Sequence, residues 1–130
     1  MTLGPNKKPF RLSLGQRGEM IAWNYLIGEG YKIIEKNYRC KIGEIDIIAQ
    51  KQKRIHFVEV KTRTSEQYGL PEESVHPVKQ KKIVRIAEWY LKEKHINDAA
   101  LAFSVIAILL PEHEAPNIRF IERAFEVADS

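Results

Sequence analysis

A single cysteine, Cys40, is all the chain carries. An internal disulfide framework is therefore excluded, and a reducing, cytoplasmic setting is expected. The histidines at 56, 76, 95 and 113 are scattered without the spacing of zinc ligands. No Walker loop is present, Gly28-Glu29-Gly30 lacks the third glycine of a dinucleotide fingerprint, and no Gly-x-Ser-x-Gly elbow marks a hydrolase nucleophile. The longest apolar run, LAFSVIAILL from Leu101 to Leu110, is about half the length that crosses a bilayer. It reads as a buried strand, and no membrane partner is expected.

What is present suits one ordinary domain. With 130 residues, 44% of them hydrophobic and 29% charged, the chain can build a single core and is neither disordered nor fibrous. A formal charge of +4 fits a polyanionic partner and ordinary solubility equally well. The start, MTLGPNKKPFR, is basic but lacks the apolar core of a signal peptide. A flexible basic arm over residues 1–12 is expected, followed by one domain over residues 13–130.

Ser13 and Gln16 form a capping box ahead of Leu14, Ala22, Tyr25 and Leu26 at helical spacing, and Gly28 and Gly30 end the pattern. A first helix is expected from Ser13 to Glu29. Three strands follow, antiparallel by default, within YKIIEKNYRC and the two apolar runs of GEIDIIAQKQKRIHFVEVKTR. Residues 63–77 lack a period and read as a loop. Ile83, Ile86, Ala87, Tyr90 and Leu91 form one face of a second helix over Val78–His95. A buried strand at Ala102–Leu110 and a short one at Asn117–Ile121 complete an α/β fold, a mixed sheet in the order αβββαβ with flanking helices.

The central hairpin is interrupted by charge. If Gln50 pairs with Ile55, then Asp46 stands opposite Glu59 and Glu44 opposite Lys61, while Ile45 and Ile47 meet Val60 and Val58 on the apolar side. A one-residue slip would turn the acids into that side. Opposed carboxylates about 5 Å apart repel unless something positive lies between them. Mg²⁺, which takes one or two carboxylates together with waters and phosphate oxygens, suits an open pair. Lys61 beside it could orient or deprotonate a water, or stabilise charge on phosphate oxygens. The competing possibility is an exposed strand whose Glu59 and Lys61 are solvated partners.

Glu19 falls at the edge of the first helix's inner face, as a third acid for this site or as a partner of Arg17 or a sheet lysine. Lys79, Lys81, Lys82 and Arg85 crowd the start of the second helix, where its dipole disfavours cations. They mark either a phosphate site or a solvated basic face. With Gln80, and with Arg63 just past Lys61, they are the expected nucleic-acid contacts.

Taken together, GQRGE, NYRCKIGEIDIIA, FVEVKTR, YGLPEESV, VKQKKI and NIRFIERAF resemble the PD-(D/E)xK nuclease superfamily. More narrowly, they resemble a bacterial family of small predicted endonucleases, distantly similar to archaeal Holliday-junction resolvases. The resemblance implies a restriction-endonuclease-like fold and Mg²⁺- or Mn²⁺-dependent hydrolysis of phosphodiesters. Asp46, Glu59 and the Val60 carbonyl would hold the metal, Lys61 would handle the water, and Glu19 would assist metal or water placement. Ile45 stands where the superfamily's proline would be, and Ser104 where many relatives would carry an aspartate.

The expected function is thus an endonuclease acting on DNA, branched or structured DNA included, with RNA as a further candidate substrate. The alternative is a module that binds nucleic acid or a repair-protein partner and cuts nothing. A homodimer, or a place in a larger repair assembly, is compatible with both, and the loop around Tyr68 and Gly69 is a candidate to close over substrate.

Overall fold

The computed structural model describes residues 11–65 and 76–125. Most of the expected basic arm, and the loop around Tyr68 and Gly69, lie outside the described residues. Helix α1 spans Leu14–Gly28, β1 Lys32–Arg39, β2 Glu44–Lys51, β3 Arg54–Arg63, α2 Pro77–Glu93, β4 Ala100–Leu109 and β5 Asn117–Phe125. The order is αβββαβ with β5 added.

The capping box forms: the Gln16 N–H donates to Ser13 Oγ at 3.1 Å, and the Ser13 N–H to Gln16 Oε1 at 2.9 Å. Several boundaries differ from expectation; α2 ends at Glu93 and β4 begins at Ala100, and three further differences have a plain reason. Arg63 belongs to β3, because β3 pairs with β4 along its full length to Leu109. Pro77 opens α2, where its missing N–H would have had no partner anyway. β5 continues past Ile121, and its pairing with β4 reaches Phe125.

The five strands lie side by side in chain order. β3 and β4 are parallel, joined by α2 as a crossover, and the other neighbours are antiparallel. In the β2–β3 hairpin the expected register is found: Gln50 pairs with Ile55 and Ile47 with Val58. Lys51 also pairs with Arg54, which tightens the turn to Gln52-Lys53, with Gln52 at φ 57°.

A helix covers each face. Ala22 and Leu26 of α1 pack on Ile47, Val58, Ile106 and Ile108; Ile83, Ile86, Ala87 and Tyr90 of α2 pack on Ile48, Phe57 and Phe103. A strand covered on both sides has no polar face to alternate with, which explains the unbroken apolar run of β4. Ile45 departs from expectation, since it packs in the α2 cluster with Tyr38 and Ile48 and not beside Ile47. Backbone pairing with β3 is lost just at this end of β2, so strict two-residue alternation no longer governs it. Among the described residues, no helix is long and apolar enough to cross a membrane.

Candidate active site

The β2–β3 ladder gives out where the charges begin. Its last backbone pair at that end is Ile47 with Val58, and beyond it the Asp46 side chain takes over as acceptor: the Val60 N–H donates to Asp46 Oδ2 at 2.8 Å. Opposite, Glu59 is 7% exposed, and the two carboxyl groups are close enough to perturb one another's titration. Burial, and then the Asp46 charge, push the Glu59 carboxyl up to about 7, against the pull of Lys79 and Lys61. Asp46 is also raised, by burial first and then by Glu44, although the Val60 amide opposes this.

Two lysines answer the acids. Lys79, in the first turn of α2, places Nζ 3.3 Å from Glu59 Oε2 and lies beside Lys61. Burial, and next this neighbour, lower Lys61 to about 8. Burial also works against the Lys79 ammonium, but the contact with Lys61 and the charges of Glu59 and Asp46 outweigh it and raise its pKa. Lys79 is thus the more firmly protonated member of the lysine pair.

Glu19 is half-buried on α1 and receives a hydrogen bond from the Asn37 side chain. Burial, followed by the charges of Asp46 and Glu44, raises its pKa. Glu44 does not pair with Lys61 as the register suggested; it lies 3.4 Å from Arg39 in an exposed ion pair. Among the described residues, no three His, Cys, Asp or Glu side chains converge to hold a metal ion. The set that does converge is a carboxylate pair, whose demand for positive charge is plain from the raised Glu59. That donor set fits Mg²⁺ or Mn²⁺ with most of its coordination left to water and substrate.

The pair opens into a pocket of about 570 Å³ lined by Glu44, Asp46, Glu59, His76, Lys79 and Lys82, with apolar lining from Val78, Ile83 and Ile86. One wall is acidic sheet and the other the basic start of α2. Lys82 reaches it over Gly43, where a Cβ would stand 2.8 Å from the lysine's Cε. Lys81 and Arg85 are exposed, and Gln80 is half-buried. Arg63 donates from Nη1 to the Thr62 carbonyl at 3.0 Å. Sequence reasoning missed the Glu59 contact of Lys79 and the hold of Asn37 on Glu19. Asn37 carries a weak signal, a residue type tolerant of its φ of 52° within a strand of apolar and charged residues.

The family model described as "Uncharacterised protein family UPF0102" matches residues 18–108, the stretch holding Glu19, Asp46, Glu59, Lys61 and Lys79. A UPF0102 protein of Geotalea uraniireducens is 51% identical over 116 residues, covering 89% of this chain and 91% of the relative. One from Caldanaerobacter subterraneus subsp. tengcongensis is 49% identical over 104 residues, 80% of this chain and 85% of the relative. One from Clostridioides difficile is 47% identical over 104 residues, 80% and 91% respectively. A match over most of the chain, with identities near one half, establishes that this protein belongs to the UPF0102 family.

Proposed function

We propose that the protein is a metal-dependent endonuclease that hydrolyses phosphodiester bonds in DNA, branched or structured DNA included, on a restriction-endonuclease-like fold. The observation that carries this reading is the pair of half-buried Asp46 and buried Glu59 with Lys61 and Lys79 beside it, opening into a pocket whose far wall is basic. A purely structural salt bridge would have no use for two acids whose pKa values burial raises, since burying such a cluster costs stability unless it is used.

Asp46, Glu59 and the Val60 carbonyl would hold Mg²⁺ or Mn²⁺. The cation would supply polarisation of the phosphoryl group and acidification of a bound water. The protein's own groups do the rest. Asp46 is fixed by the Val60 amide, so its free oxygen is aimed without entropic loss on binding. Lys61, lowered to about 8, holds or accepts a proton at Nζ near neutral pH, the range in which proton transfer is most effective. Glu19, held by Asn37, assists from the α1 side. Lys82, with Lys81 and Arg85 beyond it, positions the nucleic-acid backbone without reading sequence.

One observation favours the alternative: Lys79 already neutralises Glu59, as it would in a binding module that needs no metal. Cleavage of end-labelled single-stranded, duplex, flap and four-way-junction DNA by wild type and Glu59→Gln, with Mn²⁺, Mg²⁺ or chelator, decides between them. The nuclease reading expects products only with metal and only with Glu59. DNA bound equally by both proteins and cut by neither would overturn it in favour of the binding module.

A further inference from the structure

The acid pair already has a cation in contact with it. Lys79 Nζ lies 3.3 Å from Glu59 Oε2, although Lys79 belongs to the first turn of α2, where the helix dipole repels cations and no acidic residue offsets it. Its stem therefore reaches across the pocket to β3. A divalent cation on Asp46 and Glu59 would place two further positive charges beside that ammonium, with Lys61 already its neighbour. Charge repulsion sets the two arrangements in competition.

Building on the nuclease reading, we propose that Lys79 is the site's built-in counter-ion: it holds Glu59 in the metal-free protein, is displaced when the divalent cation binds, and then holds an oxygen of the substrate phosphate. The pocket allows this exchange without unfolding anything. Lys79 lines it together with Asp46, Glu59, His76 and Lys82, so the released ammonium stays in the space that a phosphate would occupy. A lysine suits the task, because a compact charge on a flexible four-carbon stem can change partners while its backbone stays in place. The count of charges argues the same way. Asp46 and Glu59 already have Lys79 and Lys61 beside them before metal arrives, so a metal adds positive charge that an anionic substrate would offset. Metal and phosphate therefore favour each other's binding through Lys79, and that coupling is reciprocal.

Titration of Mn²⁺ into wild type, Lys79→Met and Lys79→Gln by calorimetry tests the exchange without relying on turnover. Removing the competing ammonium should tighten Mn²⁺ binding on the order of tenfold in both variants, and Asp46→Asn should abolish it in every background. Equal or weaker Mn²⁺ binding by both lysine variants would overturn the counter-ion while leaving the metal site intact. Absence of Mn²⁺ binding by all three proteins would overturn the metal site as well. Short duplex DNA, titrated in Ca²⁺ or in chelator, tests the transfer to phosphate. Lys79→Met should weaken binding several-fold in Ca²⁺ and leave it unchanged in chelator, where Lys79 is engaged by Glu59. An unchanged affinity in Ca²⁺ would overturn the transfer.

Discussion

Asp46 and Val60 are joined across two strands whose backbones have just parted: the Val60 N–H donates to Asp46 Oδ2 at 2.8 Å, one residue beyond the last ladder pair, Ile47 with Val58. A side-chain oxygen has replaced a main-chain carbonyl as acceptor. The replacement satisfies a donor that would otherwise lack its ladder partner, and it lets β2 diverge from β3 so that Glu59 faces a pocket and not a neighbouring strand. The chemistry of the site and the fraying of the sheet share this one hydrogen bond.

Asp46→Ala and Asp46→Asn should therefore separate stability from activity. Alanine leaves the Val60 N–H without its acceptor and should cost roughly 1–3 kcal/mol. Asparagine keeps an oxygen for that N–H and should unfold within about 1 kcal/mol of wild type, yet it loses the charge that would bind metal in the proposed site. Both should cut DNA slower by on the order of 10²-fold or more. Thermal melts in chelator, alongside cleavage assays in Mn²⁺, read the two effects. Equal destabilisation by both substitutions would deny the Asp46–Val60 bond its structural role.

The raised Glu59 and the lowered Lys61 give the metal-free protein a local stability minimum at neutral pH. Glu59, at about 7 against the ordinary 4.5, keeps its proton when folded after the unfolded chain has released it. Its contribution therefore falls as pH rises from about 4.5 to about 7. Lys61, at about 8 against 10.5, releases its proton when folded before the unfolded chain does, so its contribution rises with pH between about 8 and 10.5. In chelator, Glu59→Gln should melt higher than wild type near pH 7.5, and this advantage should fade as pH drops toward 4.5. Mg²⁺ should raise the melting temperature of wild type but not of the variant. A Glu59→Gln advantage independent of pH would contradict the assignment.

Much of this was legible in the residues themselves. The apolar partners Ile47 and Val58 dictate the hairpin register, because a slip would bury Asp46 and Glu59 among aliphatic side chains. The face of α2 follows from the spacing of Ile83, Ile86 and Tyr90. What spacing cannot convey is how far a side chain travels. Lys79 reads as one of several lysines at a helix start, and only the three-dimensional path across the pocket brings it to Glu59. The packing of Ile45 with Tyr38 depends on where backbone pairing ends, a property of the sheet's twist and divergence that no two-residue pattern encodes.

Lys81, Lys82 and Arg85 project from the same turns of α2, all three exposed. If they neutralise DNA phosphates, replacing all three by alanine should reduce the slope of log affinity against log salt by about 2–3. The loss should be uniform across DNA sequences, as phosphate contacts carry no base information. Fluorescence anisotropy over a salt series measures it. An unchanged slope would assign these cations to a solvated surface and move the nucleic-acid path elsewhere.

Gly18 and Gly15 provide a final test, because the same substitution three residues apart on α1 should act in opposite directions. Gly18 is buried, and a Cβ there would collide with Thr62 Oγ1 and lie 2.9 Å from Thr62 Cβ and Cγ2, atoms of a central strand that cannot retreat. Gly18→Ala should therefore push α1 away from β3 at a cost of roughly 1–3 kcal/mol. Its neighbours are Glu19 on the helix and Lys61 on the strand, so cleavage should fall even at temperatures where the variant remains folded. Gly15 has nothing within 4 Å of an added Cβ, and Gly15→Ala should stabilise the helix by up to about 1 kcal/mol and leave cleavage unchanged. Thermal melts and cleavage rates of the two variants, measured side by side, check both signs; similar effects from the two would mean that close contact between α1 and Thr62 does not set the position of Glu19.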